Sequence, residues 1–331
     1  MKTIILHIGH TKTGSSYIQS SLSLSGDSLK KEGVVYPWHK NFNSARLGNM
    51  TWGNLKTAKL VTTVKKMSKK LKNNQRLLFS NEIFFEEFFN HIDSFKLIRS
   101  AGFSIKIVLY IRNPYEHAQS HYSQLVKGAG HTGSFSEYLM KYDTPMHVKR
   151  ILEMEGDAFD EIKIINYSKH RGRLLETFAE SIEVTQQALV VPHKEIVNRS
   201  MTESELELQL IFNKHYRNGK ANTIGINLCN ELPFILSEGV AVQKDVVEKF
   251  LETINLEVEK VNSLICPSER YVYDNISEIN CPTYDKSEGN LTFSKEQIEV
   301  IVSSLKFLKK PKNKCTYQNF KKLLANKFFH K

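Results

Sequence analysis

The segment Gly9-His10-Thr11-Lys12-Thr13-Gly14-Ser15-Ser16 follows the apolar run Ile4-Ile5-Leu6. A strand, a glycine, four residues, a second glycine and a helix form a loop whose backbone N–H groups and helix N-terminus can enclose an anion. The ATP-binding version places a lysine directly after the second glycine. Here Ser15 and Ser16 follow Gly14, and the lysine is Lys12, inside the loop. Lys12 would therefore meet a phosphate from the loop rather than from the first helical turn, which argues against an ordinary nucleoside triphosphatase. Taken alone, glycine spacing is a weak signal, and a plain strand-to-helix turn is the commoner explanation of it.

Other residues suited to chemistry stand where apolar runs end. Arg112 closes the run Ile107-Val108-Leu109-Tyr110-Ile111 and is followed by Asn113-Pro114, with Ser120 eight residues beyond the arginine. An arginine there can grip a phosphate with two N–H groups, and a serine two helical turns on can add a hydroxyl. Glu82 follows Leu77-Leu78-Phe79-Ser80-Asn81 and precedes Ile83-Phe84-Phe85, apolar neighbours that would raise its pKa and suit it to general-base work. It equally suits a helix N-terminal carboxylate favoured by the dipole. His10 lies in the loop and reads first as a loop contact, a weaker third choice of base. His7 alternates with strand residues and reads as a core histidine. Tyr167, after the run ending at Asn166, is a packed aromatic or a contact for a bound ligand.

Taken together, the Leu6–Gln19 segment resembles the 5′-phosphosulfate loop of sulfotransferases that use 3′-phosphoadenosine 5′-phosphosulfate (PAPS), commonly written K-T-G-T-T. The Ile107–Tyr122 segment is similar to that family's 3′-phosphate segment. Val197-Asn198-Arg199-Ser200-Met201-Thr202, ahead of an acidic helix, is similar to an N-R-S segment of bacterial, carbohydrate-sulfotransferase-like members, so the resemblance covers roughly residues 1 to 215. Ser15 and Ser16 replace the usual threonines and keep both hydroxyls. The resemblance implies that Lys12 contacts the oxygen bridging sulfur and phosphorus, and that Thr13, Gly14, Ser15 and Ser16 hold the 5′-phosphate. It also implies that Arg112 and Ser120 hold the 3′-phosphate, with Arg199 and Ser200 closing over it. Related enzymes carry a histidine after a Y-P turn, which makes His39, after Tyr36-Pro37-Trp38, the alternative base to Glu82. The implied reaction needs no metal, releases the 3′,5′-bisphosphate PAP, and sulfates a hydroxyl of a carbohydrate or glycolipid.

The elements that must position these residues read as an α/β pattern. Thr3 to Ile8, Arg76 to Ser80, Ile105 to Ile111 and Glu161 to Asn166 are strand candidates, each ending in a polar cluster. Helical spacing marks residues from about 15 to 25, 60 to 71, 115 to 126 and 171 to 181, and the strand–helix alternation predicts a parallel sheet covered by helices. In such sheets ligands bind at the carboxyl ends of the strands. Helices are expected over 201–216, 243–261, 294–308 and 317–328. The resulting expectation is one P-loop-like three-layer domain over 1–331, with a core in 1–215 and a helical extension in 216–331.

The chain has 331 residues, 40% of them apolar, enough for a full core. Cys229, Cys266, Cys281 and Cys315 lack paired spacing, which predicts reduced thiols rather than a zinc site or disulfides. The N-terminus reaches Gly9 too soon for a signal peptide, and no apolar run is long enough to span a membrane, so a cytoplasmic protein is expected. Residues 303–331 contain nine lysines and no acid; without them the chain holds 37 basic and 35 acidic residues. That tail suits a solvated face or a peripheral contact with the anionic inner surface of a membrane. A second acid-free stretch, Gly33 to Asn81, carries ten Lys or Arg residues, a field that would attract an anionic ligand as readily as a solvated face. Nucleic-acid binding is not expected, because aromatic and basic residues are not interleaved. The rival enzyme reading is a nucleotide-dependent kinase with a variant loop.

Overall fold

The computed structural model describes residues 2–48, 51, 53–72, 74–193, 199–216, 221–237, 239–272 and 290–306. Five strands form one parallel sheet: β1 (Lys2–His7), β2 (Val34–Val35), β3 (Arg76–Ser80), β4 (Phe103–Ile111) and β5 (Glu161–Asn166), in the order β2-β3-β1-β4-β5. The central strands are continuous apolar runs because helices cover both faces of such a sheet. Ile4, Ile5, Leu6, Leu77, Leu78, Phe79 and Ile107 to Ile111 are all buried. Lys106 interrupts the run in β4 and is buried with its ammonium 2.6 Å from Glu183 and 3.0 Å from Glu161.

The expected α/β layering is thus present, with four of the five strands within two residues of their expected limits. β2 was not foreseen, since two residues carry no periodicity. The main helices are α1 (Ser15–Leu24), α2 (Leu60–Ser68), α3 (Ile92–Ser100), α4 (Pro114–Ala129), α5 (Leu174–Ser181), α6 (Glu203–His215), α7 (Asn222–Glu231), α8 (Lys244–Leu264) and α9 (Lys295–Leu305). α3 and α7 were not expected from spacing. The helix expected over 317–328, most of the basic tail, Cys281 and Cys315 lie outside the described residues. No helix among the described residues is long and apolar enough to cross a membrane.

β1 lies between β3 and β4, so the chain leaves β1 toward one side of the sheet and later passes to the other. In open α/β sheets the carboxyl ends of the strands flanking such a reversal, here β1 and β4, are the usual ligand position.

The contacts divide into two compact units. One comprises residues 1–114, 143–197 and 254–273; the other comprises 115–142, 198–253 and 274–331. The boundary expected near residue 215 therefore falls inside the second unit. The first unit holds the sheet and a core that includes Ile5, Ile18, Leu22, Tyr36, Val108 and Phe178. The second is helical among its described residues, with Leu208, Phe212, Ile224, Leu228, Val300 and Ile301 packed together.

Candidate active site

The loop from β1 to α1 is shaped by two left-handed residues, Lys12 (φ 64°) and Gly14 (φ 80°). At Gly14 a side chain would be strained by the backbone and would also collide, since a Cβ there would lie 2.4 Å from Leu174 Cδ2 and 3.2 Å from Tyr167 Cε2. Gly14 caps α1, whose first turn forms as Tyr17 and Ile18 N–H donate to the Gly14 carbonyl. The Thr13 hydroxyl donates to the His10 carbonyl at 2.5 Å. Its proton braces the loop, which leaves the Thr13 backbone N–H as the donor to offer an anion. Ser15 Oγ and Thr11 Oγ1 are shielded from solvent without a hydrogen-bond partner, whereas Ser16 is partly exposed.

Arg112, just past the end of β4, comes to this loop. One of its N–H groups donates to the Lys12 carbonyl at 3.0 Å, and its guanidinium stands 5.5 Å from the centre of the Tyr167 ring. A carbonyl bond and a cation–π contact hold the arginine in place. Tyr167 itself sits against Gly14 at the start of the short helix Tyr167–His170, which Asn166 caps by accepting from Lys169 N–H. Lys12, Gly14, Arg112 and Tyr167 thus form one cluster at the carboxyl ends of β1, β4 and β5.

Glu82 follows β3 and precedes the short helix Ile83–Glu87. Burial against its apolar neighbours pushes its carboxyl up to about 7, even though the positive charge of Lys12 pulls in the other direction. A carboxylate near neutrality within the field of a loop lysine is the arrangement of a general base beside a cationic group. It is positioned by a clasp on the end of β3. Asn54 N–H donates to the Ser80 carbonyl at 3.1 Å, Asn54 Oδ1 accepts from Ser80 N–H at 2.9 Å, and Asn81 Nδ2 donates to the Leu55 carbonyl at 2.5 Å. Gly53 (φ 79°) makes the clasp fit, since a Cβ there would lie 1.8 Å from the Ser80 oxygen. Gly53 and Asn54 were missed in the sequence; the Gly-Asn pair was their one signal, and it says turn without saying which strand the turn serves.

The other histidines differ. His7 is buried, with Nδ1 2.9 Å from Ser80 Oγ, and burial lowers its pKa to about 3, as suits a core residue. His10 is buried with Nδ1 3.2 Å from the Thr11 carbonyl oxygen and its ring beside Phe85, a loop contact. His39 packs edge-on against Tyr36 and Phe42, and burial lowers its pKa to about 4. Both of its ring nitrogens are shielded from solvent without a hydrogen-bond partner.

Ser120, partly exposed on α4, belongs to the second unit with Arg199 and Ser200. Arg199 is buried and its guanidinium is saturated. Nε donates to the Leu232 carbonyl, Nη1 to the Ser200 carbonyl and Glu205, and Nη2 to Glu205 and the Leu228 carbonyl. All five N–H donors are in use, so Arg199 is placed as a structural hub rather than as the phosphate contact expected. Glu205 also accepts from Thr202 N–H in a capping box and from Gln297. Among the described residues, no group of three His, Cys, Asp or Glu side chains is arranged to hold a metal ion.

No protein-family model and no curated protein matches the chain. Among solved structures, it is similar to a retinol dehydratase in complex with androsterone and the inactive cofactor PAP, with 10% identity, a TM-score of 0.33, and coverage of 78% of this chain and 82% of that one.

Proposed function

We propose that the chain is a PAPS-dependent sulfotransferase that moves a sulfuryl group to an acceptor hydroxyl by in-line displacement. The observation that supports this most is geometric: Lys12 stands inside an anion-binding loop with Arg112 bonded to its carbonyl, and Glu82, whose carboxyl burial pushes up against the pull of Lys12, follows the carboxyl end of β3. Sulfuryl transfer, like phosphoryl transfer, needs alignment and neutralisation of leaving-group charge rather than covalent chemistry by the protein. The loop fits such a donor: Lys12 stands inside it, Arg112 is bonded to the Lys12 carbonyl, and Ser15 and Thr11 carry buried hydroxyls without partners. Thr13, Gly14, Ser15 and Ser16 hold the 5′-phosphate, the first two through backbone N–H groups. Arg112 holds the 3′-phosphate, and Tyr167 lies beside the adenine.

Glu82 takes the acceptor's hydroxyl proton as the new S–O bond forms. Lys12 neutralises the charge that gathers on the bridging oxygen as the old S–O bond breaks and PAP leaves. The acceptor is a carbohydrate or glycolipid hydroxyl, and the protein works in the cytoplasm.

Transfer of label from ³⁵S-PAPS tests the reading. Lys12→Ala should lose turnover far more than PAP affinity, because its charge matters most when the bond breaks. Magnesium-dependent ATP turnover without label transfer would instead establish the kinase.

A further inference from the structure

Beside the clasp on β3 lies a group of buried polar atoms that the proposed chemistry does not use. Gln19, on α1 one turn past Ser15, is 1% exposed. Its Oε1 accepts from the Thr51 hydroxyl at 2.8 Å, whereas its Nε2 has no partner. Thr51 is itself buried and begins the strap that continues through Gly53 and Asn54 to the end of β3, two residues before Glu82. Helical side chains lean toward the N-terminus of their helix, so the Gln19 amide points back toward Ser15 and the phosphate loop.

The Tyr36 hydroxyl and both nitrogens of His39 also lack partners. Tyr36 packs in one core cluster with Ile18 and Leu22 of α1, and the His39 ring stands edge-on to it. A buried donor left without a partner costs about 1–3 kcal/mol, and native interiors contain few such atoms. Several on neighbouring elements, at the edge that carries Lys12 and Glu82, indicate a lining built for another molecule. The set is neutral and mixes donors with acceptors, which matches hydroxyls, each able to donate and accept. Trp38, between Tyr36 and His39, is 70% exposed, an aromatic face open beside the lining. Its turn is held to the strap by Asn54 Nδ2, which donates to the Pro37 carbonyl at 3.5 Å.

We propose that Gln19, oriented by Thr51, binds the acceptor: its amide, with Tyr36 and His39, hydrogen-bonds the hydroxyls of a polyhydroxylated acceptor while Trp38 covers one face of it. This rests on the sulfuryl-transfer reading and adds the residues that would select the acceptor.

The test uses the full chain saturated with PAP and an array of neutral mono- and disaccharides, with affinities of the sugars that bind measured by calorimetry. At least one sugar should bind. Gln19→Leu, Thr51→Val and Trp38→Ala should each weaken it about tenfold while PAP affinity stays unchanged. Gln19→Leu removes an unpartnered buried donor and also the acceptor of the Thr51 hydroxyl, so its stability is read against Thr51→Val, and the double variant should melt no lower than Thr51→Val alone; a purely structural glutamine would lower the melting temperature in both backgrounds without selectively weakening the sugar. If Gln19→Leu does not fold, Thr51→Val and Trp38→Ala carry the test. Binding of PAP with no sugar bound, or sugar affinity unchanged in these variants, overturns the inference and leaves sulfuryl transfer standing. Failure to bind PAP at all counts against both.

Discussion

Replacing Glu82 by Gln removes a titrating proton while keeping the shape of the side chain. In the fold, burial lifts this carboxyl from 4.5 to about 7 against the pull of Lys12. Between those values the folded chain keeps a proton that the unfolded chain has lost. Folding then binds more protons than unfolding, so stability falls as pH rises from 4.5 to about 7 and is level above. At about 1.4 kcal/mol per tenfold change, the ceiling is ~3 kcal/mol. Part of the Glu82 surface reaches solvent, which screens the charge and reduces the expected effect to about 1–2 kcal/mol. Urea unfolding across a pH series should therefore give Glu82→Gln and the parent equal stability in acid, with the variant more stable by about 1–2 kcal/mol near pH 8. The same substitution should abolish label transfer and leave PAP binding nearly intact, while the parent's kcat rises with pH through about 7. Parallel stability curves would refute the burial argument. Full transfer by the variant would refute the base assignment and return His39 to that role.

Other outcomes follow from geometry already described. Gly53→Ala forces a Cβ against the Ser80 backbone and a residue with a side chain into φ 79°, so thermal unfolding should show a loss of more than about 2 kcal/mol. Arg199→Met leaves the Glu205 carboxylate buried without its partner, and urea unfolding should show a loss of about 3–5 kcal/mol. Where that variant stays folded, its PAP affinity should match the parent's; a selective loss of PAP binding would restore the phosphate contact that its saturated donors argue against.

Much of this arrangement was legible in the sequence because it rests on local signals. The apolar runs of β1, β3, β4 and β5 mark a parallel sheet, and the polar residues ending each run, Glu82 and Arg112 among them, lie at the edge where ligands bind. What escaped depends on pairings across distance. Nothing near Thr51 announces that its hydroxyl will hold Gln19, or that Asn54 will close the end of β3. Arg199 was read from its neighbours Asn198 and Ser200, yet its fate is set by Glu205 and by carbonyls on α7 and beyond it. The capping pattern Thr202-x-x-Glu205 was present and could have warned that this glutamate was already part of a structural motif. Thr13 shows the same limit at short range: sequence supplies a hydroxyl, and only the fold says that its proton goes to His10.

The left-handed backbone at Lys12 has a consequence for how the protein could change over time. A residue with a side chain in that region costs about 1 kcal/mol or more relative to a relaxed backbone, and glycine or asparagine would relieve it. Either replacement at position 12 would therefore be favoured by selection for stability alone, and either would remove the loop cation proposed to neutralise the leaving group. Under the proposed function position 12 is thus a sentinel: in homologous chains, a lysine retained there against its backbone preference would mark lineages still under selection for transfer, and a glycine or asparagine those that have kept the fold and given up the reaction.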